Sequence, residues 1–332
     1  MALSFGTQFM PEMTVSTFDG GWSPIKVQAS DSISMHPGAH VLHYASTCFE
    51  GLKAFRHADG TVKIFRMDKN VARFSQSSRL LMLPEFTDEH ATSMITSIVS
   101  KFRNEVPEPP ASMYIRPTHI GTEAAIGKAA VPSDTSLMYV LLSPVGDYFT
   151  GGEASLRILL DDVGMRCGDD HGMVKGGGNY ASALKHCQRA IAEHNAQQVL
   201  FCNEKGVSET GAANFLMIDG NEVITKPLDD SFLHGVTRDS VLALAKDNGM
   251  TISERDISIE ELLERSANPD CEAALSGTAA VLAAVGTFIY QGKDQMVGTG
   301  QPGPKVRALR EQLNAIQWGK APDPYGWLTT VD

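Results

Sequence analysis

The first 143 residues alternate between two kinds of apolar spacing, one typical of strands and one typical of amphipathic helices. Residues 1–40 are rich in turn-forming residues and are predicted to be irregular. After them, the mixture of strand-like and helical runs predicts an α+β or α/β unit. The predicted strands are 40–56, 61–67, 112–121 and 136–146, and the predicted helices are 68–83 and 87–106.

Local signals mark where these elements begin and end. The tetrapeptide "HADG" at 57–60 is typical of a hairpin turn between two strands. Asp68 is a favourable N-cap for the first helix, and Pro84 would stop it. Thr87 or Asp88 is expected to begin the second helix, which would end before the prolines of "PEPP".

The segment "PVGDYFTGG" at 144–152 combines proline, glycine, aspartate and threonine and is predicted to be a connector. The chain is therefore predicted to fold as a smaller domain at 1–143 and a larger one at 153–332. Strands and helices alternate in the larger domain, which predicts an α/β fold without the regular cadence of a doubly wound sheet. Its predicted strands are 155–163, 198–203, 214–218 and 221–226, and its predicted helices are 179–195, 238–249 and 258–267.

The length of the chain predicts two domains, because 332 residues exceed the usual size of a single hydrophobic core. The net charge of -11 argues against a nucleic-acid-binding protein, because phosphates would repel it. The sequence has no apolar run near the roughly 20 residues of a membrane helix. Its five cysteines show no Cys-x-x-Cys pair and no zinc spacing, so no metal is expected and the thiols are expected to be reduced. No secretory signal pattern begins the chain, and a cytoplasmic location is expected.

The segment "GMVKGGGNYASALKHCQRA" at 172–190 is the first candidate for chemistry, because it places Lys175 before three glycines and a helical run. Such a lysine is often only a solvated side chain beside a turn. A phosphate-binding P-loop places its lysine after the glycines, and the spacing of a dinucleotide fingerprint is also absent. A reactive lysine most often serves as the Schiff-base partner of pyridoxal phosphate.

That cofactor needs a carboxylate at its ring nitrogen and a site for its phosphate. Glu209 lies between two predicted strands, where an acid at a turn can point into a cleft. Gly235–Thr237 precedes a predicted helix and Ser276–Ala279 precedes another apolar segment, so both offer free backbone N–H groups to an anion. Taken singly, each motif is equally compatible with an ordinary turn or helix cap.

Taken together and in this order, the motifs resemble the fold-type IV pyridoxal-phosphate enzymes, and most closely the branched-chain amino acid aminotransferases. The blocks "LHYASTCFEGLKAFR", "FRMDKNVARFSQSS", "MYIRPTHIGTE" and "LLSPVGDYF" are similar to that family's small-domain motifs. The resemblance extends from about residue 40 to "YGWL" at 325–328. It implies an α+β small domain, a larger α/β pseudo-barrel domain like that of D-amino-acid aminotransferase, and a homodimer.

The resemblance implies a set of residues that bind pyridoxal phosphate. Lys175 would form the imine with the cofactor and, once released, move the proton between the substrate's α-carbon and the cofactor. Glu209 would bind the pyridinium nitrogen, and Tyr180 would bind the phenolic oxygen. The residues implied at the phosphate are Arg73, Val236, Thr237 and Thr278.

The resemblance also implies a substrate site. Tyr44 and the backbone N–H groups of Thr278 and Ala279 would bind the α-carboxylate, and Arg116 would bind the distal carboxylate of glutamate. The side-chain pocket would be walled by Phe49, Tyr114 and Tyr148. An aromatic pocket with one arginine serves both an apolar side chain and a carboxylate, because burying an unpaired carboxylate costs several kcal/mol.

The implied function is transfer of the amino group between leucine, isoleucine or valine and 2-oxoglutarate, with glutamate and 2-oxo acids as the other substrates. D-amino-acid transaminases and aminodeoxychorismate lyases share the fold, but the blocks "YIRPTHIGTE" and "LLSPVGDYF" argue against both. A non-catalytic binding protein is a further alternative, which the presence of Lys175 and Glu209 disfavours. The direction, biosynthetic or degradative, stays open.

A few positions depart from the family pattern. Alanine occupies 45 and 284, where glycine and proline are usual, and His234 precedes Gly-Val-Thr. Asp169 and Asp170 lie close to Lys175 in a stretch that is normally rich in small residues. These departures leave the substrate range open.

Overall fold

The structure is a computed structural model that describes residues 5–147, 154–168 and 170–332. The chain forms two compact units. The first contains Met1–Thr150, Val174–Gly178 and Ile316–Asp332, and the second contains Gly151–Met173 and Asn179–Ala315. The change of unit after residue 150 falls inside the predicted connector 144–152, but the inclusion of 174–178 and 316–332 in the first unit differs from the predicted division.

Helices and strands are interspersed along the described residues. The helices are α1 (His40–Tyr44), α2 (Met67–Leu80), α3 (Asp88–Lys101), α4 (Gly177–His194), α5 (Val236–Asp247), α6 (Ile259–Ser266) and α7 (Pro304–Gln317), with a 3-10 turn at Arg103–Glu105. The strands are β1 (Glu12–Asp19), β2 (Lys26–Ala29), β3 (Thr47–Phe49), β4 (Leu52–Arg56), β5 (Val62–Phe65), β6 (Ser112–Gly121), β7 (Thr135–Val145), β8 (Leu156–Asp161), β9 (Gln198–Asn203), β10 (Gly206–Thr210), β11 (Asn214–Asp219), β12 (Glu222–Thr225), β13 (Thr251–Glu254), β14 (Glu272–Gly277), β15 (Val281–Tyr290), β16 (Lys293–Met296) and β17 (Leu328–Val331).

The first unit contains an antiparallel sheet. Its strand order is β17-β5-β4-β6-β7-β1-β2, and β3 also pairs with β6. The apolar stripes of α2 and α3 share a core with the sheet, in which Phe74 and Ile98 are buried with Ile64 and Met113. The short strand β3 is thereby held between the long strand β6 and the residues that precede α4.

The second unit contains a closed ring of strands. Its path β10-β9-β8-β15-β14-β11 is joined by pairing of β10 with β11, and β12 and β13 extend from β11. Phe215, Met217 and Phe288 are buried in its core. This closure confirms the expected pseudo-barrel in the mixed α/β second unit.

The N-terminal prediction was wrong. Residues 12–19 form β1, which pairs with β7 from Thr14↔Val140 to Asp19↔Thr135. The alternating run "MTVSTF" is compatible with a strand, but its partner lies more than a hundred residues away and no local turn signal indicates the pairing. Part of the predicted strand 40–56 is likewise the helix α1, and α7 was not predicted.

One helix cap was predicted correctly and another was not. Thr87 caps α3, since its Oγ1 accepts a hydrogen bond from the N–H of His90 at 3.1 Å. Asp68 instead lies inside the first turn of α2, and the N-cap is Arg66. Ala45 ends α1 with φ at 52°, a left-handed conformation that favours glycine, which explains why glycine is usual there.

None of the helices in the described part of the chain combines the length and apolarity needed to cross a bilayer. The described residues also contain no group of three or more His, Cys, Asp or Glu side chains arranged to hold a metal ion.

A buried histidine makes the first unit sensitive to acid. His119 on β6 contacts the Oγ atoms of Ser78, at 3.1 Å from Nδ1, and Ser136, at 2.9 Å from Nε2. Burial lowers its pKa from 6.5 to about 3. Below pH 6.5 the unfolded chain binds a proton at this position and the folded chain does not, so stability falls as the pH falls through this window.

His119→Asn should therefore reduce the acid sensitivity of folding. Between pH 6.5 and 5 the wild-type chain should lose about 2 kcal/mol through this histidine, at about 1.36 kcal/mol per pH unit. Urea unfolding at pH 7 and pH 5 measures this loss of stability in the wild type and in His119→Asn. The control is His36→Asn, because His36 is exposed. Equal pH dependence in the wild type and in His119→Asn would contradict the assignment.

Candidate active site

The main chain of Lys175 is held from two sides within the first unit. The N–H of Phe49 donates to the Lys175 carbonyl at 2.9 Å, and the N–H of Lys175 donates to Ser77 Oγ at 3.1 Å. Gly176 forms a bridge with Cys48, and a Cβ atom at this glycine would lie only 3.2 Å from the Thr47 carbonyl oxygen. The glycine after the lysine therefore permits the close approach to β3.

The Lys175 side chain extends toward an aromatic ring. Its Nζ lies 5.2 Å from the centre of the Phe49 ring, and the Arg116 guanidinium lies 4.5 Å from the same centre. Phe49 thus has two cations close to one ring. An aromatic ring beside a lysine amine is compatible with a lysine that forms a Schiff base.

A cavity of about 510 Å³ lies beside Phe49 and Arg116 in the first unit. Phe49, Tyr114 and Arg116 all line it, so the structure brings together three predicted pocket residues. Arg116 donates a hydrogen bond to the Tyr114 hydroxyl at 2.9 Å. The cavity is also lined by Phe5, whose ring meets that of Tyr114 edge-on at 4.8 Å and which was not predicted.

Two polar atoms at this cavity have no hydrogen-bond partner within the part of the chain that the structure describes. They are Nε of Arg116 and Oγ of Ser143. Burying such atoms without partners costs free energy, which a bound polar group would recover. The cavity therefore presents aromatic walls together with donors suited to a carboxylate.

Tyr44 is placed apart from these lining residues. Its hydroxyl donates a short hydrogen bond to the Ile126 carbonyl, and its ring lies 4.9 Å from that of His40. Tyr148 lies outside the described residues, as does Asp169. The predicted roles of Tyr44 and Tyr148 toward a substrate therefore stay predictions.

Arg73, the predicted phosphate ligand, forms a buried ion pair. Its Nε lies 2.6 Å from Glu50 Oε1 and its Nη2 lies 2.9 Å from Glu50 Oε2. Glu50 is 1% exposed, and its Oε2 also accepts from the N–H of Gly51. Glu50 was missed from the sequence, although its place next to Phe49 in "CFEG" offered a signal.

Glu209 occupies an irregular position in the second unit. It lies within β10 and opposite Asn214, not at a turn as predicted. The register of β10 on β9 shifts between Val207 and Thr210, and such bulges redirect side chains next to active sites. Glu209 is 2% exposed, so its carboxyl group is shielded from solvent.

Donors from three different segments hold this carboxylate. Nη1 of Arg166 lies 2.9 Å from Oε1, and the N–H of Leu233 donates to the same oxygen at 2.8 Å. Nδ2 of Asn214 donates to Oε2 at 3.2 Å. Arg166 and Asn214 were not predicted, and only the tertiary contacts identify them.

The predicted phosphate-binding residues occupy two kinds of structure. Val236 and Thr237 form the first turn of α5, whose N-cap Gly235 provides no side-chain cap. A Cβ atom at Gly235 would lie 1.9 Å from Asn214 Oδ1, so a capping side chain does not fit there. The N–H groups at this end of the helix suit a phosphate.

Thr278 and Ala279 lie in the turn between the antiparallel strands β14 and β15 and not at a helix N-terminus. The apolar segment that follows them is the strand β15. Ala284, where proline is usual, is buried within β15 and pairs with Ala274. Tyr180 lies in the first turn of α4 and is half-buried.

Each unit, taken by itself, contains residues of the kind that bind an anionic aromatic cofactor. The second unit contains a buried carboxylate, a helix N-terminus without a side-chain cap and a half-buried tyrosine, which suit the ring nitrogen, phosphate and phenol of pyridoxal phosphate. The first unit contains Lys175 beside an aromatic ring and the buried guanidinium of Arg73, which suit the aldehyde and phosphate of the same cofactor.

Comparison with known proteins defines the family. The family model for class IV aminotransferases matches residues 47–285. The chain therefore belongs to the class IV aminotransferases and is a pyridoxal-phosphate-dependent enzyme.

Relatives that are named as branched-chain aminotransferases confirm the predicted resemblance to that family. The chain is 36% identical to branched-chain-amino-acid aminotransferase 2 of Bacillus subtilis, across 99% of this chain and 92% of that protein. It is 35% identical to the cytosolic branched-chain-amino-acid aminotransferase of Saccharomyces cerevisiae, across 96% of this chain and 89% of that protein.

A solved structure shows the same fold. The branched-chain amino acid aminotransferase of Thermobaculum terrenum, determined in its PLP-bound holo form, has a TM-score of 0.80 to this chain. The two are 21% identical, and the match covers 96% of this chain and 98% of the other. The predicted fold-type IV architecture is thereby confirmed.

Breaking the Arg73–Glu50 ion pair should strongly destabilise the folded protein. Glu50→Gln would leave the Arg73 guanidinium buried without this counter-charge, which should lower the free energy of unfolding by about 3–5 kcal/mol. Urea unfolding of the cofactor-free protein measures the change. The control is Glu108→Gln, whose partner Arg56 lies 3.5 Å away and whose side chain is 75% exposed, so its effect should stay below about 1 kcal/mol. Similar effects of both substitutions would contradict the prediction.

Proposed function

We propose that the chain transfers the α-amino group of leucine, isoleucine or valine to 2-oxoglutarate and returns the corresponding 2-oxo acid and glutamate. The observation that carries this proposal is the cavity in which Phe49 and Tyr114 provide aromatic walls and Arg116 provides a guanidinium. Branched apolar side chains bury well against such walls. The names of the relatives from Bacillus subtilis and Saccharomyces cerevisiae support the same substrates.

We assign Lys175 the covalent attachment and the proton transfer. When bound, pyridoxal phosphate supplies an electron-withdrawing ring that stabilises negative charge at the substrate's α-carbon. Nζ of Lys175 would hold the cofactor before substrate arrives and afterwards move the proton at the α-carbon. The main-chain contacts to Phe49 and Ser77 fix the point from which this side chain reaches.

The remaining cofactor-binding roles follow from charge. Glu209 would hold the ring nitrogen in its protonated form, because a buried carboxylate favours a cation beside it. Tyr180 would donate to the phenolic oxygen. The phosphate ligands proposed are Arg73, Val236, Thr237 and Thr278.

The substrate roles follow from the cavity. Arg116 would bind the distal carboxylate of glutamate and 2-oxoglutarate, which its buried Nε atom, without a partner among the described residues, supports. Tyr44, Thr278 and Ala279 are proposed for the α-carboxylate, and Tyr148 for the side-chain pocket. Because both amino donors use one pocket, each product leaves before the next substrate enters, as in a ping-pong mechanism.

We further propose that the protein acts as a homodimer in the cytoplasm. The Saccharomyces cerevisiae relative is described as cytosolic, which supports the compartment. Light scattering of the purified protein tests the homodimer. A monomer that retains full activity would contradict it.

Lys175→Ala tests the central role. The variant should bind cofactor through the phosphate ligands but lose its covalent attachment, so borohydride treatment should leave no fixed chromophore. Turnover of leucine with 2-oxoglutarate should fall by about 10²–10⁴-fold, the usual contribution of a positioned acid–base group. Lys185→Ala, exposed on α4, is the matched control and should retain activity. Near-normal turnover in Lys175→Ala would refute the assignment.

Arg116→Met tests the dual-substrate pocket. Loss of a charged hydrogen bond worth about 1.5–3 kcal/mol should raise the KM for 2-oxoglutarate by about 10- to 100-fold. The KM for leucine should change little, because its side chain needs no charge. Arg103→Met, which removes an exposed arginine of the same unit, serves as control. Equal changes in both KM values would show that Arg116 does not discriminate the carboxylate.

A further inference from the structure

Arg166 is a buried cation for which the proposed roles give no function. It lies in the segment that follows β8 and is 5% exposed. Its Nη1 lies 2.9 Å from Glu209 Oε1 and 3.4 Å from the Gly172 carbonyl oxygen. It brings a positive charge to Glu209, whereas the Leu233 and Asn214 donors are neutral.

The segment that carries Arg166 is anchored by a second buried carboxylate. Asp161, at the end of β8, accepts from the N–H of Gly164 at 2.8 Å and of Val163 at 3.2 Å. It also contacts His186 Nδ1 at 2.9 Å and Arg189 Nη2 at 2.8 Å, both on α4. A Cβ atom at Gly164 would lie 2.4 Å from His186 Nδ1, so a larger residue would push the segment away.

These contacts form a connected path from α4 to Glu209. Asp161 fixes the turn at 162–164, the turn positions Arg166, and Arg166 holds one oxygen of Glu209. The Leu233 and Asn214 donors approach the carboxylate from other elements. The orientation of Glu209 therefore depends on a guanidinium that is itself held in place.

Removal of Arg166 would deprive a buried carboxylate of this counter-charge. Burial without an opposite charge favours the neutral carboxyl group. A neutral Glu209 would no longer stabilise a protonated ring nitrogen, so the electronic effect assigned to Glu209 requires Arg166.

We propose that Arg166 is a positioning residue that keeps the Glu209 carboxylate charged and oriented toward the cofactor's ring nitrogen. The proposal rests on the proposed role of Glu209. It adds that the charge of Glu209 is maintained from within the second unit by Arg166.

The experiment compares R166M, R166K, E209Q and the double variant R166M/E209Q with the wild type. R157M is the matched control, because Arg157 forms an exposed pair with Asp294 in the same unit. Thermal unfolding is measured without cofactor. The visible absorption spectrum of the holoenzyme is recorded across pH, together with kcat and KM for leucine.

The expected pattern couples Arg166 to Glu209. R166M should lower the apo Tm by about 5 °C or more and kcat by about 10- to 100-fold, and should change the pH profile of the cofactor's absorption. R166K should recover part of each effect. Adding R166M to E209Q should change the spectrum little and should not lower the Tm further, because it removes a guanidinium that E209Q has left buried without this counter-charge. R157M should match the wild type.

Other patterns overturn the proposal. If R166M alters neither the absorption profile nor kcat, Arg166 does not act through Glu209. If R166M lowers the Tm equally in the wild-type and E209Q backgrounds, its role is only structural. If R166M fails to fold but R166M/E209Q folds, the coupling is supported, whereas failure of both while E209Q folds overturns it.

Failure of the proposed function has a different signature. A wild type without a cofactor spectrum or without transamination would refute the function itself, whatever R166M does. An E209Q variant with wild-type spectrum and kcat would refute the role of Glu209. If E209Q changes the spectrum and kcat but R166M changes neither, only the role of Arg166 is refuted.

Discussion

Each unit of this protein contains a buried carboxylate that pairs with a buried arginine. Glu50 pairs with Arg73 in the first unit, and Glu209 pairs with Arg166 in the second. A charge removed from water is costly unless an opposite charge and further hydrogen bonds compensate it. The proposed phosphate and ring-nitrogen contacts both depend on these pairs, because they determine which charged atoms are held in place.

The glycines around Lys175 have a structural cause. The segment 174–178 joins the first unit through the bridge from Gly176 to Cys48 and the hydrogen bond from Phe49 to the lysine carbonyl. A side chain at Gly176 would crowd the Thr47 carbonyl. The lysine thus projects from a main chain that is held against a strand and a helix, which limits its reach to a small region beside Phe49.

The motifs that carry the chemistry could be predicted from the sequence because each occupies a short, contiguous stretch. Lys175 with its glycines, Gly-Val-Thr before a helix, and the "CFEG" and "YIRP" blocks are local in sequence, and the structure places Phe49, Tyr114 and Arg116 at one cavity. The residues that hold these motifs in place could not be predicted in the same way. Arg166 lies 43 residues before Glu209 in the chain (209 − 166 = 43), and Ser77 is 98 residues from Lys175. No spacing rule connects such pairs.

The sequence by itself determined the family, the helices α2–α6 and about half of the strands, because periodicity, caps and motif order are properties of neighbouring residues. Only the tertiary structure decided that residues 12–19 join β7, that β15 pairs with β8 within the closed ring, and that Lys175 belongs to the first unit. Those outcomes depend on pairing between distant segments and on which buried charges find partners. Both are decided by packing, which no local pattern encodes.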